Sequence, residues 1–151
     1  MREPNPEYVE ALKTIVGTSP FPKHMAMKLR DIAFDRCEVV LDLGQCHLQP
    51  FGIVHGGVIA TLIDTATFWS AFLRLPQDSG LVNVDLKLNY LGPAVKGRLR
   101  AEGICLRPGR SISYAEAKVF DEDGSLIAHG TSTLMALPGK GLAVDLPKFT
   151  G

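Results

Sequence analysis

The 151-residue sequence has few cysteines, no surplus of either charge and no long uninterrupted apolar run. Its three cysteines are an odd number without a Cys-x-x-Cys pair, which argues against a disulfide framework or a zinc knuckle. Sixteen basic residues balance sixteen acidic ones, so no net positive field favours a nucleic-acid partner. Polar residues interrupt the most apolar stretch, 58–73, too often for it to span a bilayer. Nucleic acid and membrane are therefore not expected as partners.

The chain also lacks the short motifs of several enzyme classes. It contains no His-Glu-x-x-His, Gly-x-Ser-x-Gly or Gly-Lys-Ser/Thr motif, which disfavours zinc proteases, serine hydrolases and nucleoside triphosphate enzymes, and no metal is expected. The first residues carry charges instead of an apolar signal segment, so a cytoplasmic location is expected. The length allows one domain. We expect a leading helix and loop over 1–23, the main domain over 24–138 and a loose C-terminal tail over 139–151.

Hydrophobic periodicity predicts one long helix among several strands. Apolar residues recur at helical spacing over 6–16 and again from Gly56 to about Leu73, where they cover most of the helix circumference. Alternation with a period of two predicts strands over 25–43 with a bend at 35–36, over 82–90, and over 98–106, 112–120 and 126–137. This order predicts an α+β fold, with an antiparallel sheet of five or six strands wrapped around one central helix of about 27 Å.

The start of the long helix is the first candidate for chemistry. His55, Gly56 and Gly57 lie where the preceding loop meets the helix, and adjacent glycines allow a ligand or another backbone to approach closely. Unpaired N–H groups at a helix N-terminus carry partial positive charge and are suited to polarise a carbonyl oxygen. A tight turn with close packing is the alternative interpretation of the two glycines.

Asp64 is the second candidate, because a carboxylate within an apolar helix is costly unless it is paired, exposed or functional. Simple exposure to solvent is the alternative. Gly56 and Asp64 are eight residues apart, about 12 Å along one helix, which is too far for both to act on one carbonyl carbon. If both groups serve one reaction, two subunits must share the site, and a two-fold dimer is the natural arrangement.

Several segments together resemble a known family. The run from Gln49 through His55-Gly56-Gly57, with Asp64 nine residues after the histidine, is similar to the hotdog-fold acyl-CoA thioesterases of the PaaI-like, phenylacetic-acid-degradation group. Further matches are Val84-Asp85-Leu86, Tyr90-Leu91-Gly92-Pro93-Ala94, Gly109-Arg110-Ser111 and Asp123-Gly124. The resemblance covers roughly residues 25–137 and implies a hotdog fold and thioester hydrolysis.

The resemblance also implies roles for individual residues. Asp64 occupies the position of the family's catalytic carboxylate, which acts as general base or nucleophile, and Gly56 that of the oxyanion-hole N–H. Gln49 matches a side-chain amide that places the thioester or water, and His55 matches a positioning residue. Asn83 falls, with a one-residue shift, at a serine or threonine that helps to orient the water.

For binding, the resemblance implies a coenzyme A site with basic side chains on the phosphates and a pocket for the acyl group. The candidates for the coenzyme A site are Arg107, Gly109, Arg110 and Lys96. The guanidinium groups of the two arginines bind phosphate well. The candidates for the acyl pocket are Gly57, Phe68 and Trp69. A solvated basic hairpin and aromatic core residues are the alternatives. Coenzyme A would be part of the substrate, and no separate cofactor is expected.

The predicted function is hydrolysis of an aromatic or medium-chain acyl-CoA to the free acid and coenzyme A, by a homodimer or homotetramer. A related hotdog hydratase or dehydratase and a non-catalytic acyl-CoA-binding module are the alternatives. Aromatic and medium-chain acyl groups, a dimer and a tetramer, and direct attack by Asp64 and activation of water all stay open as alternatives at this stage.

Overall fold

The computed structural model describes residues 2–151 and contains one long helix among nine strands. In chain order the elements are β1 (Glu3–Pro4), α1 (Pro6–Thr18), α2 (Pro20–His24), β2 (Met27–Ala33), β3 (Arg36–Asp42), a 3-10 turn (Gln45–His47), α3 (Gly56–Phe72), β4 (Ser79–Asn83), β5 (Lys87–Tyr90), β6 (Arg98–Arg107), β7 (Ile112–Phe120), β8 (Leu126–Pro138) and β9 (Phe149–Thr150).

Seven of the strands form one sheet around α3. The strand order is β2-β3-β6-β7-β8-β4, each neighbouring pair is antiparallel, and β5 pairs with β8 next to β4. The helix packs across the inner face of this sheet and buries apolar side chains such as Leu62 and Ile63. Gly103 on β6 permits the close approach, because a Cβ there would collide with the carbonyl oxygen of Ala66. The predicted α+β architecture, an antiparallel sheet wrapped around one helix, is confirmed, but the sheet has seven strands and not the predicted five or six, because the region predicted as one strand over 82–90 forms two, β4 and β5.

The strand predicted over 82–90 is wrong in one respect, because it is interrupted. Residues 84–86 lie between β4 and β5, where Asp85 replaces regular pairing: its backbone oxygen accepts a hydrogen bond from Ser132 Oγ (2.7 Å) and its Oδ1 accepts one from Thr133 N (2.8 Å). This edge is also less buried than the alternation indicates, since Val84 is 59% exposed. The sheet therefore ends in an irregular edge that presents apolar side chains.

Both ends of the chain are more ordered than the sequence predicts. The loop expected before residue 24 contains the helix α2, which begins at Pro20, a position where proline's fixed φ suits a helix start. The expectation of a loose tail is also wrong, because β9 pairs with β1 and Lys148 is only 1% exposed. The Lys148 ammonium donates to the carbonyl oxygens of Phe72 and Leu75, each at 2.8 Å. The tail is thereby attached to the C-terminal end of α3.

None of the helices within residues 2–151 is long and apolar enough to cross a membrane. Cys37, Cys46 and Cys105 are all free thiols, and Cys37 and Cys105 are buried. Burial raises the pKa of the Cys105 thiol to about 11 and also raises the pKa of the Cys37 thiol. These two thiols therefore remain protonated at neutral pH and are unsuited to act as nucleophiles.

Candidate active site

The chain enters α3 through a loop that several backbone hydrogen bonds hold in place. Leu48 and Val54 form an isolated antiparallel bridge, and Val54 N donates to the carbonyl oxygen of Ala94 at 2.8 Å. His55 N donates to the carbonyl oxygen of the buried His47, also at 2.8 Å. The loop is thus fixed on both sides, and the first turn of the helix has a defined position.

His55 caps the helix and decides which N–H group remains free. Its Nδ1 accepts a hydrogen bond from Gly57 N at 2.8 Å, and its carbonyl oxygen accepts one from Val58 N at 2.9 Å. The N–H of Gly56 has no acceptor within residues 2–151. One donor at the positive end of the helix therefore remains available to an oxygen atom of a ligand. Because Nδ1 is the acceptor in the cap, this geometry suits His55 to positioning better than to proton transfer.

Tyr90 lies over the same turn and is a residue that the sequence interpretation missed. Its hydroxyl donates to the carbonyl oxygen of Gly56 at 3.1 Å. A Cβ on Gly56 would lie 2.9 Å from the Tyr90 oxygen, and a Cβ on Gly57 would lie 2.9 Å from His55 Nδ1. Both glycines thus permit side chains to pack closely against the helix start. Tyr90 belongs to the segment that carries the family resemblance, but its sequence position does not indicate this contact.

Gln49 belongs to the loop before the helix. Its backbone N–H donates to the carbonyl oxygen of Ile53 at 2.8 Å, and its side-chain Oε1 accepts a hydrogen bond from the backbone N–H of Phe51. The amide oxygen is therefore engaged in the loop, and the NH₂ group is the part of the side chain suited to donate to a ligand.

Asp64 lies in the middle of α3, two turns from the free N–H of Gly56. Its side chain is exposed at the surface of the chain, yet the neighbouring apolar groups desolvate it enough to raise the pKa of the carboxyl group above the ordinary value of 3.8. Within residues 2–151 no hydrogen bond or ion pair reaches this carboxylate. A carboxylate without a partner and with a raised pKa is suited to accept a proton.

Asn83 lies beside Asp64 but contacts its backbone, not its carboxylate. The Nδ2 atom donates to Ser132 Oγ at 2.8 Å, to Thr67 Oγ1 at 3.3 Å and to the carbonyl oxygen of Asp64 at 3.4 Å. In this chain Asn83 therefore braces α3 against β8. The geometry gives no direct support to the expected role in orienting water.

A cavity of about 520 Å³ opens beside Asp64. Of the three residues predicted to line the acyl pocket, Phe68 and Trp69 line this cavity, whereas Gly57 lies at the helix start and does not. The two rings pack edge to face, with centroids 4.8 Å apart. Residues of α1 and α2 form a further part of its lining, a contribution that the sequence interpretation missed because a helical pattern does not reveal what its helix packs against.

The structure does not bring the four coenzyme A candidates together within one chain. Arg107, Gly109 and Arg110 lie at one end of β6, and Lys96 precedes the other end, about 30 Å away along the ten-residue strand. Gly109 has a structural function: its N–H donates to Ser113 Oγ at 3.1 Å, and a Cβ would collide with the carbonyl oxygen of Ile112. The side chains of Arg107, Arg110 and Lys96 are exposed.

Within residues 2–151 no group of three or more His, Cys, Asp or Glu side chains could hold a metal ion. The groups that the structure places at the start and middle of α3 include a backbone N–H, a carboxylate and the side-chain amide of Gln49. Such groups suit the attack of water on an activated carbonyl compound, in which a base removes a proton and a donor stabilises the oxyanion.

Comparisons with known proteins agree with this chemistry. A family model described as "Thioesterase superfamily" matches residues 51–128. The 1,4-dihydroxy-2-naphthoyl-CoA hydrolase of Escherichia coli is 25% identical over 131 residues, which are 85% of this chain and 94% of that protein. A thioesterase family protein from Silicibacter pomeroyi has a TM-score of 0.81 and 27% identity, and covers 87% of this chain and 99% of its own. The E. coli PaaI protein of the phenylacetic acid degradation operon shares the fold, with a TM-score of 0.79 and 15% identity over 88% of this chain and 95% of its own.

Proposed function

The chain belongs to the thioesterase superfamily and is a thioester hydrolase with the hotdog fold, and from this premise we propose that it cleaves acyl-CoA at a site shared between two subunits. The observation that carries the proposal is the pair of unpartnered groups on α3, the N–H of Gly56 and the carboxylate of Asp64. They are eight residues apart, about 12 Å along the helix, so they cannot meet on one carbonyl carbon within one chain.

A second copy of the chain would bring the two groups together. The edge formed by β4 and β5 has no neighbouring strand on its outer side within residues 2–151, and it presents apolar side chains, among which Val82 is 39% and Leu86 37% exposed. Leu86 also lines the cavity beside Asp64. Exposed strand edges with apolar side chains favour pairing with another chain. A two-fold dimer across this edge would form two equivalent sites, each with Gly56 from one subunit and Asp64 from the other.

The proposed reaction needs only these groups and water. The N–H of Gly56 donates to the thioester carbonyl oxygen and stabilises the negative charge that develops there. Asp64 accepts a proton from water, the hydroxyl oxygen attacks the carbonyl carbon, and the C–S bond then breaks. The proton held by Asp64 passes to the departing thiolate, so the products are the free acid and the thiol of coenzyme A. Direct attack by the Asp64 carboxylate, followed by hydrolysis of the anhydride, gives the same products.

Binding of the coenzyme A portion is assigned to the basic side chains at the β6–β7 hairpin. Arg107 and Arg110 are exposed and lie outside the salt bridges of residues 2–151, so both guanidinium groups are available to phosphate. Arg98, in contrast, forms a two-fold hydrogen-bonded pair with Asp42 and is not available in this way. Lys96 would serve only a substrate that extends to the opposite end of β6.

The experiment that tests the proposal is release of thiol from phenylacetyl-CoA, a hydroxybenzoyl-CoA and octanoyl-CoA by the purified protein. We expect turnover of at least one substrate by the wild type and by Asp123→Asn, a control that alters an exposed carboxylate in the β7–β8 turn. Absence of turnover with every acyl-CoA by a folded protein would contradict the proposal.

A further inference from the structure

Two short helices that precede the main sheet form one wall of the cavity beside Asp64. The lining residues from this segment include Ile15 and Val16 of α1 and Phe21 and Pro22 of α2. We propose that the α1–α2 segment is the selectivity wall of the acyl-binding cavity, and that the cavity accepts an uncharged, apolar acyl group. This inference rests on the proposed function, because it assumes that the acyl group lies next to Asp64 during the reaction.

The chemistry of the lining supports an apolar acyl group. Asp64 is the one ionisable side chain among the described residues that line the cavity. Two of the hydroxyl groups are already used within helices: Ser19 Oγ donates to the carbonyl oxygen of Ile15 at 2.5 Å, and Thr61 Oγ1 donates to that of Gly57 at 2.8 Å. A carboxylated acyl group would meet the Asp64 carboxylate without a cation to balance it, which is unfavourable at short range.

The two walls of the cavity differ in origin. Phe68 and Trp69 come from α3, which lies within the residues 51–128 matched by the family model. The α1–α2 wall comes from the segment before that match. Gly56, Asp64 and the aromatic wall therefore lie within the residues matched by the family model, whereas the α1–α2 wall lies before them.

Phe21 is the residue on which this inference can be tested most cleanly. It lines the cavity and is 56% exposed, so it lies at the solvent edge of the cavity and not in the core. Its helix is attached to α1 through the hydrogen bond from Ser19 N to the carbonyl oxygen of Ile15 (2.9 Å). Truncation of such a side chain removes a cavity wall with little loss of buried core area.

The experiment measures kcat/KM for straight-chain acyl-CoAs from butanoyl to hexadecanoyl, for phenylacetyl-CoA and for succinyl-CoA. The wild type is expected to prefer uncharged acyl groups, with succinyl-CoA at least about tenfold poorer than butanoyl-CoA, which has the same number of acyl carbons. In Phe21→Ala the preference moves towards longer chains, and in Phe21→Trp towards shorter ones. The ratio of kcat/KM for hexadecanoyl-CoA to that for butanoyl-CoA is expected to change by about tenfold in each variant, in opposite directions.

Lys23→Ala is the matched control, because Lys23 lies on the same short helix, is exposed and does not line the cavity. It should keep the wild-type preference. Should either Phe21 variant fail to fold, the other still reports on the wall. Wild-type chain-length preference in both folded variants, or equal hydrolysis of succinyl-CoA and butanoyl-CoA, would overturn this inference while leaving thioester hydrolysis intact. Absence of any hydrolysis by the wild type would instead contradict the proposed function.

Discussion

The two ends of α3 differ in whether their polar groups have hydrogen-bond partners within the fold. At its start the N–H of Gly56, and at its middle the carboxylate of Asp64, have no hydrogen-bond partner within residues 2–151. At its other end, the carbonyl oxygens of Phe72 and Leu75 both accept hydrogen bonds from the buried Lys148 ammonium. The negative end of the helix dipole is therefore neutralised inside the fold, whereas the positive end is left open. The start of α3, with the free N–H of Gly56, is its open end, and the end bound by Lys148 is its secured end.

We therefore expect substitutions of Gly56 and Asp64 to affect activity, and substitutions at the secured end to affect stability. Removal of the Asp64 carboxylate has the largest expected effect. In Asp64→Asn we expect kcat to fall by about a thousandfold, since a positioned base contributes about 10²–10⁴ in rate. The free energy of unfolding should be unchanged or slightly higher at neutral pH, because the carboxylate is partly desolvated in the fold. Thiol release and urea unfolding measure the two quantities, and Asp123→Asn is the control.

The pH dependence of wild-type kcat/KM is a second test of Asp64 as the base. The base must be deprotonated to act, so kcat/KM should fall as the pH decreases through the pKa of Asp64. Because burial raises that pKa, the midpoint of the acidic limb should lie above the ordinary value of 3.8. Full activity of Asp64→Asn, or an acidic limb at the ordinary carboxyl value, would be incompatible with this role of Asp64.

The next largest effect concerns the N–H of Gly56. Gly56 is the first residue of α3, a position where proline is well accepted, and His55 already has the extended backbone that a following proline requires. Gly56→Pro therefore deletes the N–H while keeping the helix, and kcat should fall by about 10²–10³. Gly56→Ala is the matched control, since it adds the same Cβ next to the movable Tyr90 ring but retains the N–H. Equal losses in both variants would assign the effect to steric displacement and not to the missing donor.

Tyr90 should have a smaller effect, because it acts through Gly56 and is a positioning residue. In Tyr90→Phe the hydrogen bond to the carbonyl oxygen of Gly56 is lost, and kcat should fall by about fivefold with little change in KM, since one hydrogen bond contributes about 1 kcal/mol. Steady-state kinetics measure the effects on kcat and on KM separately. Tyr114→Phe, an exposed tyrosine on β7, is the control. A change confined to KM would contradict a role in positioning the oxyanion donor.

Lys148 at the secured end should have the smallest effect on activity and a clear effect on stability. Lys148→Met removes a buried donor to two carbonyl oxygens, of which that of Phe72 keeps the N–H of Leu75 as a partner, so the free energy of unfolding should fall by about 2 kcal/mol at unchanged kcat. Lys140→Met, which alters an exposed lysine of the tail, is the control. Thermal and urea unfolding test this prediction, and a large loss of kcat in a folded Lys148→Met would contradict the separation of the two ends.

The pH dependence of stability gives Lys148 a specific signature. Burial lowers the pKa of Lys148 from 10.5 to about 8. Between these values the unfolded chain binds a proton that the folded chain has lost, so this residue makes the free energy of unfolding rise with pH over that interval. The rise should be absent in Lys148→Met and present in Lys140→Met. The same slope in wild type and Lys148→Met would show that the amine titrates normally in the fold.

Local patterns were sufficient to predict the elements that dominate the fold. The apolar repeat from Gly56 gave α3, and clear alternation predicted β6, β7 and β8 within one or two residues of their observed bounds. The pattern failed where a tertiary contact decides the structure. Asp85 interrupts the strand over 82–90 because its side chain and backbone accept hydrogen bonds from β8, and alternation alone does not reveal these partners.

The residues of the candidate site also fall into those that local sequence predicts and those that only the fold reveals. Gly56 and Asp64 were identifiable because a glycine pair at a helix start and a carboxylate in an apolar helix are local anomalies. Tyr90 and Lys148 were not, because their contacts join residues that are distant in the sequence. A lysine in a segment rich in glycine and proline is expected to be exposed, and only the fold shows that it is buried.

The most direct test of the shared site is complementation between two inactive variants. Asp64→Ala and Gly56→Pro, carrying different affinity tags, are coexpressed and the mixed dimer is purified through both tags. In a two-fold dimer one of its two sites then has both an intact Gly56 and an intact Asp64, so about half of the wild-type kcat per dimer is expected, while each parent alone stays inactive. A mixed dimer that is folded yet no more active than its parents would show that one chain must supply both groups, and would contradict the account.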